Sequence, residues 1–582
     1  MLKEIIRREQ VSDRHLPSTL HPIVRQIYAR RGVVSDEQLE LTAKHLCAVD
    51  SLKGLPEACE LLHLALKARQ NITVIGDFDA DGATSTALMM EALAMLGSQN
   101  HHFLVPNRFK YGYGLTPEIV DIAASQGAQV LVTVDNGISC VAGVERAKAL
   151  GLKVVVTDHH LPGSTVPPAD AIVNPNQVGC NFASKSLAGV GVAFYFMLAL
   201  RKYLREQAWY IEQNITEPNI AQLLDLVALG TVADVVSLDA NNRILVEQGL
   251  KRIRAGATRP GIQALIEIAG KNQQKLVASD FGFALGPRIN AAGRLDDMAF
   301  GINCLLAKDL STARVMAADL DDLNKARRDI EQGMQTEAEQ VMASLKFTED
   351  NLPHGISLYH KDWHQGVIGI VAGRLKEKFH RPSIVFAQAN DDSEQDETNS
   401  SVEEIKGSAR SIPGLHIRDL LEHIDSQHPD IILKFGGHAM AAGLSIHANK
   451  FSEFSTLFER YAQQWLSVEI LTGIIASDGS LESKDMTLTF AELLRDAGPW
   501  GQNFPEPIFD DNFKLVQQRI VGEKHLKLVL EKDQQVFDAI AFNVDLKRWP
   551  DHQTQHVNVA YRLDINEFRG KQSLQLMIEQ IN

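Results

Sequence analysis

The chain has little cysteine: five residues in 582, Cys47, Cys59, Cys140, Cys180 and Cys304, widely scattered and with no C-x-x-C pair. This excludes a disulfide scaffold, marks no zinc ligand or nucleophile, and predicts reduced thiols. Long hydrophobic runs are missing too. The longest apolar stretch, Gly189 to Leu200, falls short of the ~20 residues needed to cross a bilayer. Met1-Leu2-Lys3-Glu4-Ile5-Ile6-Arg7-Arg8 carries charges of both signs with no apolar core behind it, unlike a secretory signal. A cytoplasmic protein without a membrane partner is expected. There is no excess of positive charge: the formal net charge is −15, which argues against a broadly basic nucleic-acid surface but leaves room for a local basic channel. No P-loop pattern is present, which counts against ATP hydrolysis as the main activity.

What is present is an ordinary globular composition, 45% hydrophobic and 23% charged. The length exceeds the ~250–300 residues at which single cores stop growing, so several domains are expected. The most informative stretch is Asp77-Phe78-Asp79-Ala80-Asp81-Gly82, directly after the apolar run Ile72-Thr73-Val74-Ile75-Gly76 and before an Ala/Leu/Met-rich helix from Ala83 to Leu96. Acids at a strand-to-helix turn of a parallel sheet sit where such folds bind ligands, and clustered carboxylates hold hard cations. An EF-hand begins the same way, but its twelfth position needs Glu and here is Leu88. A solvated acidic turn is the other reading of these six residues alone.

Two further strands repeat the arrangement. Val130–Val134 leads into Asp135-Asn136-Gly137, and Val154–Thr157 leads into Asp158-His159-His160. If these strands are parallel neighbours, their terminal acids and imidazoles reach one edge. Asp234, in Gly230-Thr231-Val232-Ala233-Asp234-Val235-Val236, follows an apolar helix and reads either as a fourth contributor or as an exposed turn residue. Oxygen donors with imidazole suit a pair of Mn²⁺ or Mg²⁺ ions, which can hydrolyse phosphoesters.

Residues 1–70 read as a helical segment, and 71–305 as a parallel α/β domain with strands at Ile72–Ile75, Phe103–Val105, Val130–Val134, Val154–Thr157 and Ala171–Val173. Helices are expected at Ser35–Leu41, Leu187–Leu204, Ile220–Leu229 and Thr312–Leu345, the last as a linking helix over 306–346. A smaller α/β domain is expected over 347–465, interrupted by a polar acidic loop at 389–404, and short strands over 466–582 predict an OB-like β-barrel.

The phrases GDFDADG (76–82), TVDNG (133–137), TDHH (157–160) and VADVV (232–236) resemble the four motifs of the DHH phosphoesterase superfamily in their usual order. WHQGVIGIVAGRL (363–375), KGSARS (406–411) and FGGHAMAAGL (435–444) resemble its DHHA1 domain, while VPNRFKYGYGL (105–115) and LGPRINAAGRLDD (285–297) narrow the match to its long bacterial members, single-strand-specific 5′-to-3′ DNA exonucleases. The resemblance implies that Asp79, Asp81, Asp135, His159 and Asp234 hold two metals, with Asp135 bridging and Asp77 near or bound. It places His160 at the scissile phosphate. Asp158 either orients the histidines or ends its strand, and Asn136 either meets phosphate or water or serves the turn.

On the same resemblance, Arg108, Arg288, Ser408 and Arg410 contact DNA, with His364, Gly366, Gly436, Gly437 and His438 forming glycine-rich phosphate turns. Each Arg has a surface ion pair as its plainer reading, and the glycines have helix–strand packing. Tyr113, with Tyr111, either stacks on a base or belongs to the core. The implied partners are single-stranded DNA with a 5′ end, the single-stranded-DNA-binding protein and a RecQ-type helicase. The implied location is the nucleoid. A small-substrate phosphoesterase cleaving short oligonucleotides or cyclic dinucleotides is the alternative; a non-catalytic scaffold would have no need of the intact acid–histidine set.

Overall fold

The computed structural model describes residues 3–107, 110–111, 113–163, 165–344, 352–389 and 403–582; Arg108 and most of the acidic loop lie outside them. The chain divides into two compact units. One comprises Gln10–Lys325 with Leu494–Glu506, the other Met1–Glu9 with Ala326–Leu493 and Pro507–Asn582.

In the first unit, β1 (Ile72–Ile75), β2 (His101–Leu104), β3 (Val130–Val134), β4 (Lys153–Thr157) and β5 (Ala171–Val173) form a sheet in the order β2-β1-β3-β4-β5, with every pair parallel. Its central strands are buried along their length, as parallel sheets covered on both faces require. Ile75 pairs with Thr133 and Val134 with Thr157, so β3 and β4 end level with β1 one residue short, and the residues that follow all three reach one edge.

The helices that matter begin or end where polar groups dictate. α1 (Ala80–Met95) starts before Ala83 because Asp79 caps it, accepting from the Gly82 N–H at 3.0 Å. Asp81 therefore lies inside the first turn. α2 (Gly189–Glu206) starts after an extended Ala188. α3 (Leu224–Ala233) is preceded by a 3₁₀ turn over Ile220–Leu223, and only a 3₁₀ turn, Asp36–Leu39, stands where Ser35–Leu41 was expected as helix. α4 (Ala240–Arg254) follows, and the long helix is α5 (Leu310–Ser344), started by Asp309, which accepts from the Thr312 N–H.

The second unit has a mixed sheet of β6 (Ile356–Tyr359), β7 (Ser383–Gln388), β8 (Glu404–Arg410), β9 (Lys434–Gly437) and β10 (Ala441–His447), ordered β9-β10-β8-β7-β6. Only β6 and β7 are parallel. α6 (Ile368–Phe379) covers it. β11 (Phe509–Val521), β12 (His525–Lys532), β13 (Gln535–Ala541), β14 (His556–Phe568) and β15 (Lys571–Ile581) close into the expected barrel. One expectation is corrected: within the supposedly helical segment 1–70, Glu4–Arg7 is a strand paired in parallel with Ile474–Ser477. Its partner lies hundreds of residues away, so no local pattern announces it. No helix of the described residues is long and apolar enough to cross a membrane.

Leu131 is fully buried among Ile75, Val144, Val154 and Val156. Leu131→Ala should therefore destabilise this unit by about 2–5 kcal/mol, read as an earlier thermal transition and faster hydrogen exchange in β3.

Candidate metal centre

The level strand ends do what their register dictates. Asp77, Asp79 and Asp135 form one group of donors, Asp81, His159 and Asp234 a second, and Asp135, His159 and His160 a third; within each group, one ligand atom per residue lies within 4.8 Å of the others. Asp77, Asp81 and Asp135 are almost completely buried. His159 Nε2 lies 3.2 Å from Asp135 Oδ1 and 3.5 Å from Asp234 Oδ2. Asp234 is thus drawn into the cluster from the end of α3 and is no exposed turn residue.

Backbone geometry aims these groups. Asp135 has φ 62°, an uncommon conformation for a residue other than glycine and one that recurs at functional turns. The Asn136 amide donates to the carbonyls of Val134 and Ile75 at 2.9 and 3.1 Å, which ties the turn to two strand ends. Asp81 accepts the N–H groups of Gly189 and Val190 at 2.6 and 2.9 Å at the start of α2, where the helix dipole favours an anion. A Cβ on Gly189 would come within 2.6 Å of the Asp135 side chain, and one on Gly230 within 3.0 Å of Asp81 Oδ1.

Asp158 is a different kind of acid. It accepts from the N–H groups of Ile138 and His159, at 2.9 and 2.7 Å, and from His160 Nδ1 at 2.7 Å. Burial alone would raise its pKa, but the hydrogen bond and charge of His160 more than offset this and the carboxyl falls below its usual value. His160 responds in turn: burial opposes its charge, yet Asp158 and the nearby Asp77 and Asp79 lift it to about 9.

The remaining carboxylates shift the other way. Burial first, and then the charge of Asp79, push Asp81 up to about 7 despite the Val190 and Gly189 N–H groups. Burial, then Asp81, Asp79 and their neighbours, drive Asp135 and Asp234 well above the carboxylate range. Asp135 Oδ1 is buried without a well-directed hydrogen bond. Such a set of oxygens and one imidazole, mutually repelling and desolvated, fits hard divalent cations, which supply the missing positive charge.

Tyr113 borders the cluster. Its hydroxyl donates to the Asp135 carbonyl at 3.1 Å, its ring meets Phe78 and His160 edge-on, and 45% of it is exposed. Tyr111 packs instead against the core. Arg288 is 9% exposed and donates from its guanidinium to Asp321 and to the Ala284 carbonyl.

The other named residues belong to the second unit. Arg410 Nη1 donates to Ser408 Oγ at 3.1 Å, and a Cβ on Gly369, in the first turn of α6, would meet both side chains at 2.9 Å. Ser408 stands opposite Gly443 in β10, which stands opposite Gly436 in β9. A bare strip of sheet thus lies beside Ser408. Gly437 has φ 141°, and a Cβ there would come within 2.5 Å of the Ala441 carbonyl that His438 N–H reaches at 2.8 Å. The Gly366 N–H donates to His364 Nδ1.

Sequence reasoning missed Gly189, Val190, Asn174, Asn176 and Asn290. Asn174 and Asn176 hold the carbonyls of His160 and His159, and Asn290 accepts from the Ala80 N–H. The glycines of Leu187-Ala188-Gly189-Val190-Gly191 were the available signal for the first two.

The DHH family N-terminal domain matches residues 71–231, the DHHA1 domain 352–464 and the RecJ OB domain 477–580. These matches define the class. The chain is 56% identical over 580 residues to the single-stranded-DNA-specific exonuclease RecJ of Escherichia coli (strain K12), covering 99% of each. Solved structures of RecJ from Thermus thermophilus in complex with Mn²⁺ and with Mg²⁺ superpose on it with TM-scores of 0.80 and 0.74, at 28% and 26% identity, covering 100% of this chain and 80% and 78% of those chains. The chain belongs to the RecJ family.

A carboxyl with a raised folded pKa favours the protonated folded state, so its contribution is full below the unfolded value of about 4 and is lost as pH rises through the folded value. For Asp81 that window ends at about 7. The melting temperature of the metal-free protein should fall as pH rises across it, Mn²⁺ should remove the fall, and Mn²⁺ affinity should rise over the same range as protons are displaced. Calorimetry of wild type and Asp135→Asn, with a shallower slope expected in the variant, checks this.

Proposed function

We propose that the protein is a divalent-metal-dependent exonuclease that degrades single-stranded DNA from its 5′ end to mononucleotides during recombination and repair. The observation that carries this reading is the convergence of Asp77, Asp135 and the Asp158-His159-His160 turn at one sheet edge with Asp79, Asp81 and Asp234, in a chain so similar to a single-stranded-DNA-specific exonuclease. Asp79, Asp81, His159 and Asp234 would hold two Mn²⁺ or Mg²⁺ ions, with Asp135 shared between them and Asp77 beside it. Bound there, the pair supplies an activated water and charge stabilisation at the leaving oxygen.

The chain's own residues supply the rest. With Nδ1 engaged by Asp158, His160 is fixed in orientation and kept cationic at neutral pH, suited to donating a hydrogen bond or proton to a phosphate. Asp158 acts through His160 as its positioning residue. Tyr113 offers a half-exposed ring on which a base stacks regardless of sequence. Ser408 and Arg410, beside the first turn of α6 and the strip bared by Gly436 and Gly443, suit the phosphate backbone near a 5′ end: a guanidinium fork donates two parallel bonds, and nothing projects from the strip to keep phosphate away. His364, Gly366, Gly437 and His438 extend this recognition. The barrel adds length to the strand-binding track. In this role the single-stranded-DNA-binding protein and a RecQ-type helicase are the partners.

The test is digestion of a long single strand labelled at its 3′ end, with Mn²⁺ or Mg²⁺, beside the matching duplex and a dinucleotide. Progressive shortening of the labelled strand with the duplex spared is expected, with Asp135→Ala slower by about 10²–10³-fold or more. Immediate release of the label as a mononucleotide would reverse the polarity, and cleavage of the dinucleotide alone would make this a small-substrate phosphoesterase.

A further inference from the structure

The loop that follows Asp234 at the end of α3 is held by a distant stretch of chain. Val235, the next residue, has φ 61° and is 63% exposed. A β-branched residue adopts that conformation only where its surroundings impose it, and packing of its own side chain is not what imposes it. From one side the loop is fastened locally: Asn242 of α4 donates to the carbonyls of Ser237 and Ser186 at 2.8 and 2.6 Å.

From the other side it meets Leu494–Glu506, a segment of the same unit although its chain neighbours belong to the other. The Leu238 N–H donates to the Gln502 carbonyl at 2.8 Å, and Asn503 Nδ2 donates to Ser237 Oγ at 3.2 Å. Gly501 lies so close that a Cβ there would come within 2.7 Å of Leu238 Cδ1.

The segment is itself firmly seated. Trp500 stacks on Phe504 and Tyr28, with ring centroids 5.3 and 6.2 Å apart. Tyr28 donates its hydroxyl hydrogen to the Ala497 carbonyl at 2.8 Å, and Arg31 Nε donates to that of Pro505 at 2.7 Å. The buried Arg243 guanidinium, on α4, lies 4.0 Å over the Phe504 ring, and burial pulls its pKa down to about 10. A cation so placed is stabilised by the ring face.

We propose that Leu494–Glu506 is a strap whose residues Gly501, Gln502 and Asn503 are positioning residues for Asp234, holding the Val235–Leu238 loop in the strained form that turns the Asp234 carboxylate toward His159. The strap acts on Asp234 through the loop, by denying the loop its relaxed conformation. The proposal rests on the metal-centre reading above.

Mn²⁺ binding to the full-length chain, measured by titration calorimetry, tests it. Gly501→Ala drives a methyl into Leu238, and Asn503→Gly, at a position with φ 59° that glycine accepts, removes only the bond to Ser237. Each should weaken Mn²⁺ by about 10-fold, the scale on which groups that orient metal ligands act. Adding Val235→Gly, which removes the drive to relax, should restore most of the loss, a repair that a merely destabilised fold would not show. Unchanged affinity in both strap variants, while Asp234→Ala weakens binding, overturns the strap and leaves the metal centre standing. A loss that Val235→Gly fails to repair and that follows the drop in melting temperature also overturns it. Absence of Mn²⁺ binding by the wild-type chain overturns the metal reading and the strap with it.

Discussion

Repulsion among carboxylates held in one dry place is the constraint around which this structure is built. Asp81 and Asp135 are almost wholly buried, and Asp77, Asp79 and Asp234 face them. Each raises its neighbours' affinity for a proton, and by the same electrostatics the site attracts divalent cations. No fold would gather these groups for its own stability. They stay together because the surroundings leave them no alternative: strands ending level, a left-handed turn at Asp135, two N–H groups at the start of α2, and a strained loop behind Asp234.

The contrast between Asp158 and Asp135 shows how the same residue type acquires opposite character a few ångströms apart. Asp158 is surrounded by donors and the His160 imidazole and stays ionised; Asp135 is surrounded by acids and is starved of positive charge. One is suited to fixing an imidazolium, the other to holding a divalent cation. Close approach enforces the arrangement, since Gly189 and Gly230 leave no space for a methyl beside Asp135 and Asp81. The second unit solves a different problem with the same economy, pairing Ser408 and Arg410 with a sheet strip bare of side chains.

Much of this was legible in the chain. A β-branched run followed by an acid is a local signal, and it occurs three times, at Ile75, Val134 and Thr157, so the parallel sheet and its loaded edge follow from neighbouring residues. The barrel strands were equally local. What escaped depends on partners far away in sequence: the pairing of Glu4–Arg7 with Ile474–Ser477, the reach of Gly189 to Asp81, and the grip of Gln502 on Leu238. The ion pair of Arg288 with Asp321 is likewise a contact that no local pattern announces. So are the two carbonyls that the Asn136 amide reaches, which only the folded sheet brings together.

The proposal on which the functional reading depends is that this sheet edge would hold a pair of metal ions with Asp135 shared between them. Electron paramagnetic resonance of the full-length chain titrated with Mn²⁺ tests it most directly, because bridged ions couple their spins and isolated ions do not. The account predicts two Mn²⁺ per chain with an exchange-coupled spectrum that Asp135→Ala converts to that of uncoupled ions. Two independent Mn²⁺ signals in the wild-type protein, or a coupled spectrum indifferent to Asp135, would contradict it.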